Sequence, residues 1–166
     1  MFGHFSSMVI GCLEFVEKVK RRFYRFSKYS CQERSLILES FVLLGVGRFL
    51  VKMIPFKQVA PKLGIINGSE IMYLDDDSKA QSKLIARLVN YTSRFTPFTS
   101  NCFNKALAAH FMLRRRGISS TLILGVAKYK EKMEAHAWLT SGDQILTGGY
   151  EHERFTEVSH FTWNPK

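Results

Sequence analysis

SNCFNKALAAHFMLRRRGISSTLILGVAKY (residues 100–129) contains the transition that decides the fold, a helical segment followed directly by a strand. Ser100 or Asn101 is suited to cap a helix that runs through LAAHFMLRRR, and Gly117 is suited to end it. Residues 120–129, STLILGVAKY, are rich in β-branched and apolar side chains, which is typical of a strand. The stretch therefore predicts a helix that packs on the sheet it leads into.

The sheet continues downstream, and further helices precede it. MEAHAWLT (residues 133–140) reads as a strand, SGDQ (141–144) supplies turn residues, and QILTGG (144–149) returns as its partner. Upstream, a helix is predicted from about Ser78 to Tyr91, after a run of aspartates. The order predicts an α+β fold in which N-terminal helices precede a cysteine-bearing helix packed on a small antiparallel sheet.

The N-terminal part of the chain is predicted to be helical. Apolar residues recur at helical spacing in FVEKVKRRFYRF (residues 15–26). Ser30 and Glu33 form a capping-box pattern ahead of a second helix, which must end near Pro55. Charged residues interrupt the apolar run of this helix, so we expect a buried core helix rather than a membrane span.

The chain is long enough for one domain with a substantial core, since it has 166 residues, 46% of them hydrophobic. We divide it into a helical N-terminal region, residues 1–64, and a core, residues 65–166. PFKQVAPKLGIING (residues 55–68) holds two prolines and two glycines, and we expect it to be a linker or turn region.

The cysteines and the N-terminus indicate a cytoplasmic protein. Cys12, Cys31 and Cys102 are odd in number and far apart, which suits a reducing compartment better than a disulfide framework. VIGC (residues 9–12) resembles a lipoprotein cleavage site, but no positive charge other than the α-amino group precedes it, and its apolar run is short. We therefore expect no signal peptide.

The formal net charge of +10 is concentrated in the first part of the chain. Residues 1–64 carry 11 Lys and Arg against 4 Asp and Glu, whereas residues 65–166 carry 13 against 10. The surplus is densest in KVKRRFYRFSK (residues 18–28). Such a segment suits RNA, an anionic membrane surface or an acidic protein partner, and it is equally consistent with a solvated helix face.

Cys102 falls in the first turn of the predicted helix. There it meets unpaired backbone N–H groups and the positive end of the helix dipole, both of which favour the nucleophilic thiolate. The same N–H groups are placed to stabilise an oxyanion. The alternative is a cysteine that only packs in the core, which is the commoner role of a single cysteine.

His136 is the candidate base for that cysteine. It lies in the strand EAHAWL, and a sheet packed against the start of the helix brings it towards Cys102. The alternative is a hydrogen-bonded core histidine. Trp138 is predicted on the same strand face, where it either shields the pair from water or packs in the core.

CFNKALAAHFMLRRRGI (residues 102–118), a strand that ends in GV, and EAHAWL (134–139) together resemble the leader peptidases of lasso-peptide biosynthesis. Those proteins belong to the transglutaminase-like, papain-related cysteine peptidases. MIPFKQVAPKLG (residues 53–64) also matches that family's pattern, so the resemblance covers most of the chain. It implies a Cys-His-Asp arrangement in which Cys102 is the nucleophile and His136 is the general base and then the acid.

The third member of this arrangement has no clear counterpart. In such triads the aspartate lies about twelve residues after the histidine, on the partner strand, where this chain has Gly148 and Gly149. Asp143 lies in the turn, about five residues away along a strand that rises ~3.3 Å per residue, and is too far. The other candidates are Glu134, Thr147, Glu151 and a backbone carbonyl, and the sequence does not decide between them.

The resemblance implies a peptidase that removes the leader from a ribosomally made precursor peptide. In that family a small, strand-rich recognition domain holds the leader, and an ATP-dependent cyclase closes a macrolactam ring. Because residues 1–64 are predicted to be helical, we expect the recognition protein to be a separate partner, docked on the basic N-terminal part of the chain.

Two alternatives to this function remain. One is a non-catalytic transglutaminase-like module that binds a peptide without cutting it. The other is a basic helical adaptor for nucleic acid or membrane, in which Cys102 only packs. We expect no cofactor and no metal site, because the spacing of His110, His152 and His160 matches no common ligand pattern.

Overall fold

The computed structural model describes residues 26–68 and 73–165. The chain divides into two compact units, Met1–Ser35 and Leu36–Lys166. Residues 15–25 of the predicted helix at 15–26, and residues 18–25 of the basic run at 18–28, lie outside the described residues, so both remain sequence-based predictions.

The capping box at the end of the first unit is confirmed. The backbone N–H of Glu33 donates to Ser30 Oγ at 3.2 Å, and the Ser30 N–H donates to Glu33 Oε2 at 3.0 Å. Each side chain thus satisfies a backbone donor of the other residue, and a helix begins at Cys31.

Four α-helices lie entirely within the described residues: α1 (Cys31–Met53), α2 (Phe56–Val59), α3 (Asp76–Ser93) and α4 (Cys102–Arg114). Local capping explains where the last two begin. The Asp75 carboxylate accepts from the Ser78 N–H at 2.7 Å ahead of α3, and the Asn101 side chain accepts from the Asn104 N–H at 2.9 Å in α4. Helix α4 therefore begins where the sequence predicts, and α3 begins at Asp76, slightly before the predicted Ser78.

The strands are β1 (Ile65–Ile66), β2 (Ser120–Tyr129), β3 (Lys132–Ser141), β4 (Gln144–Thr147) and β5 (Thr156–Trp163). They form one sheet in the order β1-β5-β2-β3-β4, with every neighbouring pair antiparallel. Together with the helices, this sheet confirms the predicted α+β fold.

The segment at 55–68 is part of the fold rather than a linker, so the linker interpretation is wrong, whereas turns at Leu63 and Asn67 agree with the turn interpretation. It contains α2, a short 3₁₀ helix (Ala60–Lys62) and β1, and Leu63 is fully buried. β1 pairs with β5, a strand that we did not predict, through Ile65 opposite Thr162. The pairing depends on residues almost a hundred positions apart, which local sequence patterns do not reveal.

Helix α4 is the centre of the core. Its small residues Ala106 and Ala109 are fully buried, and it packs on both β2 and β3. Helix α1 packs against it where a Cβ placed on Gly47 would lie 3.5 Å from the Leu107 side chain. Because α4 is fixed from both sides, its first residue, Cys102, has a defined position beside the sheet.

Helix α1 is buried on one face only, so the prediction of a buried core helix holds for that face alone. Leu36 and Leu44 are buried, whereas Leu38, Val42 and Phe49 are each about 60% exposed. No helix in the described ranges has the length and apolar character needed to cross a bilayer.

Candidate active site

Cys102 is the first residue of α4, and two backbone donors beside it are unpaired. The Asn101 side chain accepts from the Asn104 N–H, and the Asn101 carbonyl accepts from the Lys105 N–H at 3.2 Å. Within residues 26–68 and 73–165, no acceptor takes the N–H groups of Cys102 and Phe103. The partly exposed thiol therefore lies at the positive end of a helix beside two free donors.

His136 lies in β3, opposite Gly125 of β2, and aromatic rings surround its imidazole. The ring stacks on Phe155 with centroids 4.8 Å apart and on Trp138 at 6.0 Å. Trp138 is 6% exposed and is therefore also a core residue. These contacts restrict the plane in which the imidazole lies.

The Nε2 atom of His136 lies 2.7 Å from the carbonyl oxygen of Gly148. A carbonyl oxygen only accepts hydrogen bonds, so Nε2 carries the hydrogen. In the neutral ring, Nδ1 then holds the lone pair and is the atom able to accept a proton.

The side chains that the sequence left open as partners of His136 are engaged elsewhere or make no contact with it. Glu134 and Glu151 both form ion pairs with Arg154. Thr147 Oγ1 is buried without a partner in the described part of the chain. Asp143 lies in the β3–β4 turn. Of the alternatives, the backbone carbonyl is the one that contacts the imidazole.

Cys102 and His136 line the same cleft, which has a volume of about 430 Å³. Asn101 adds a polar group, and apolar side chains make up most of the remaining wall: Val51, Phe56, Phe103, Leu124, Val126 and Val158. In the described ranges, no charged side chain lines this cleft. Its lining suits an uncharged, largely apolar ligand.

No hydrogen bond joins the Cys102 thiol to the His136 ring in the described structure. Catalytic contacts are often long before a substrate binds and shorten in the complex. The arrangement therefore places a thiol, a histidine and free N–H donors around one cleft, and a reactive thiol–imidazole pair requires the two side chains to approach further.

From the sequence we weigh His110 only as a candidate metal ligand, whereas the structure gives it another role. It is fully buried, its Nε2 donates to the Leu63 carbonyl at 2.7 Å, and its Nδ1 lies 2.9 Å from Ser120 Oγ. Burial lowers the pKa of His110 to about 4, with a smaller effect of the Arg114 charge. His110 is thus a neutral residue that joins α4 to β2 and to the segment before β1, outside the cleft.

The remaining histidines lie apart from the cleft. His152 Nδ1 lies 2.8 Å from the Gly149 carbonyl, and His160 contacts Glu157 and the Gly68 carbonyl. Across the residues that the structure describes, no group of three or more His, Cys, Asp or Glu side chains is arranged to hold a metal ion.

The family is shown by the sequence profile of the transglutaminase-like superfamily, which matches residues 52–160. The chain therefore belongs to the transglutaminase-like superfamily, which includes cysteine peptidases. Cys102 and His136 both lie within the matched residues. No curated protein and no solved structure matches the chain.

Proposed function

We propose that the protein is a cytoplasmic cysteine peptidase that removes the leader from a ribosomally made lasso-peptide precursor. Cys102 is the nucleophile and His136 is the base. The observation that carries the proposal is the shared cleft, in which a thiol at a helix N-terminus and a strand histidine face the same space. Membership of the transglutaminase-like superfamily supports it.

The proposed reaction has two steps. His136 takes the thiol proton at Nδ1, and the sulfur of Cys102 attacks the carbonyl carbon at the leader–core junction. The free N–H groups of Cys102 and Phe103 donate to the oxyanion that forms. The peptide C–N bond then breaks, and His136 returns the proton to the leaving amine. Water, activated by the same ring, hydrolyses the thioester and frees the thiol.

The proposed partners follow from the resemblance and from the charge of the chain. A separate recognition protein binds the leader, and an ATP-dependent macrolactam cyclase uses the released core peptide. We place the docking surface on the basic segment that includes Lys20, Arg21, Arg22 and Arg25, which lies outside the described residues. Within this proposal, residues 1–64 form the helical part of the same domain and residues 65–166 form the peptidase core.

Cleavage of a precursor tests the proposed function. The purified protein is incubated with precursor peptide and recognition protein, and the products are measured by mass spectrometry. We expect the wild type and Cys31→Ala to release the leader, and Cys102→Ala and His136→Ala to lose at least about 100-fold in rate. Cleavage that persists in Cys102→Ala would contradict the proposal.

One observation favours a second candidate, the non-catalytic peptide-binding module. Among the described residues, no acidic side chain forms a hydrogen bond or ion pair with His136, whereas a triad of the expected type requires one. The same experiment separates the two functions. A binding module would retain the precursor in a pull-down assay without releasing its leader, and Cys102→Ala would bind as well as the wild type.

A further inference from the structure

We propose that the backbone carbonyl of Gly148 is the positioning group for His136, in the place that an acidic side chain occupies in a Cys-His-Asp triad. This role rests on the proposed function, because it serves the peptidase reaction proposed above. Residue 148 lies twelve positions after His136, where the resemblance predicts an aspartate, and its carbonyl oxygen is 2.7 Å from Nε2. The site thus keeps the position of the triad acid but uses the main chain as the acceptor.

The backbone at Gly148 explains why no side chain serves there. Its φ is +72°, in the left-handed region that favours glycine. A Cβ at this position would lie 2.4 Å from the carbonyl oxygen of Ala137 and 3.0 Å from the Cα of Trp138. An aspartate would clash with β3, so this conformation requires glycine while it directs the carbonyl to the imidazole.

The segment that follows Gly148 is held against β3. Arg154 pairs with Glu134, which lies in β3, and with Glu151, which lies in the segment itself. Phe155, at the end of the segment, stacks on the His136 ring. The acceptor and the stacking ring therefore belong to one short loop, residues 148–155, that is fastened to the strand bearing the histidine.

A carbonyl acceptor has a defined chemical consequence. It fixes the tautomer with hydrogen on Nε2 and leaves Nδ1 free to take the thiol proton. It carries no negative charge, so it stabilises a protonated ring less than a carboxylate does. The positioning role is therefore distinct from that of a triad acid, which also stabilises the charge of the protonated ring. In this site the ring must act as a general base during attack.

The tautomer is measured directly by ¹⁵N NMR of the imidazole, with full-length protein labelled at histidine and His136 assigned by comparison with His136→Gln. At a pH where the ring is neutral, we expect Nε2 to be protonated and Nδ1 to be unprotonated. A neutral ring with hydrogen on Nδ1 would overturn the proposal, because Nε2 would then have no hydrogen to donate to Gly148.

Weakening the acceptor tests its role in reactivity. Glycolic acid in place of Gly149 turns the 148–149 amide into an ester, whose carbonyl is a poorer acceptor. In the described structure, the Gly149 N–H that this change removes donates to no backbone carbonyl. We expect alkylation of Cys102 by iodoacetamide to slow roughly 2- to 10-fold, which corresponds to one hydrogen bond, and the share of the Nε2–H tautomer to fall.

The matched control is an ester at the next bond, made with the hydroxy-acid analogue of Tyr150. It weakens the Gly149 carbonyl, which contacts His152 instead. We expect this control to leave Cys102 alkylation unchanged, and an equal effect of the two esters would refute the role of Gly148. If the tautomer and the alkylation rates are as expected but the wild type cleaves no precursor, the proposed substrate fails while the positioning role stands.

Discussion

The carbonyl oxygen of Leu63 accepts a hydrogen bond from Nε2 of His110 at 2.7 Å, which joins the segment before β1 to the middle of α4. The two residues are separated by 47 positions in the chain. Because His110 is fully buried, the folded protein favours the neutral ring, since a charged imidazole is costly to remove from water.

Stability is expected to fall as the pH is lowered through the titration of His110. The unfolded chain takes up this proton near pH 6.5, whereas burial lowers the pKa in the folded state to about 4. The contribution of the neutral ring to the free energy of unfolding is therefore fully present above about pH 6.5. It is lost as the pH falls to about 4, and the loss amounts to about 3 kcal/mol.

Urea unfolding at several pH values, compared between wild type and His110→Gln, measures this contribution. The comparison with the variant removes the effect of the carboxylates, which titrate in the same range. We expect the wild type to lose more stability than the variant between pH 6.5 and pH 4. Parallel pH dependence in the two proteins would show that His110 does not carry the effect.

The ion pair of Glu39 and Arg116 is expected to stabilise the packing of α1 against the end of α4. Arg116 Nη2 lies 2.6 Å from Glu39 Oε2, and the side chains of Arg116 and Glu39 are 24% and 15% exposed, respectively. Glu39→Gln should cost about 1–2 kcal/mol in the free energy of unfolding, because a partly buried guanidinium loses its charged partner.

Glu131→Gln is the matched control for this change. Glu131 pairs with Lys128, but its side chain is 88% exposed, so solvent screens the interaction. We expect no measurable change in stability. Equal effects of the two substitutions in chemical denaturation would mean that the Glu39 pair is as weak as a surface pair.

Two glycines are expected to respond in opposite ways to alanine. At Gly125 a Cβ would lie 2.8 Å from the Trp138 ring and 3.0 Å from the Phe155 side chain, so both must move. Gly125→Ala should cost about 1–3 kcal/mol, and it should also lower activity because both side chains stack on His136.

Gly47→Ala is the counterpart within a helix. A Cβ there lies at ordinary contact distance, 3.5 Å, from Leu107. Alanine should stabilise the interior of α1 by about 0.5–1 kcal/mol. Thermal unfolding of the two variants tests both predictions. A stabilising Gly125→Ala would contradict the close packing around the His136 ring.

Local signals in the sequence predict much of the fold. The caps at Ser30, Asp75 and Asn101 act within three residues, and STLILGVAKY spans β2 from end to end. β1 and β5 were not predicted because their pairing depends on distant segments. β5 lies between β1 and β2 in the sheet, an order that no short stretch specifies.

The candidate site is likewise only partly predictable from the sequence. The positions of Cys102 and His136 follow from a helix cap and a strand pattern, and both residues line one cleft. The contact at Gly148 could not be read from side-chain types, because the acceptor belongs to the backbone. It depends on a left-handed φ and on the irregular register of β3 and β4 at Leu139 and Thr140.

The reactivity of Cys102, and its dependence on His136, tests most directly whether these two residues form a catalytic pair. Iodoacetamide labelling near neutral pH, followed by mass spectrometry of the peptides, gives the rates for Cys12, Cys31 and Cys102 in one experiment. Cys31 is exposed and Cys102 only partly so, so accessibility alone would make Cys31 the faster of these two.

We expect the reverse order. Cys102 should react at least about 10-fold faster than the other two cysteines, since a base and a helix N-terminus favour its thiolate, and His136→Ala should abolish that advantage. Equal rates for the three cysteines, or a Cys102 rate that does not change in His136→Ala, would contradict the claim that these two residues form a catalytic pair.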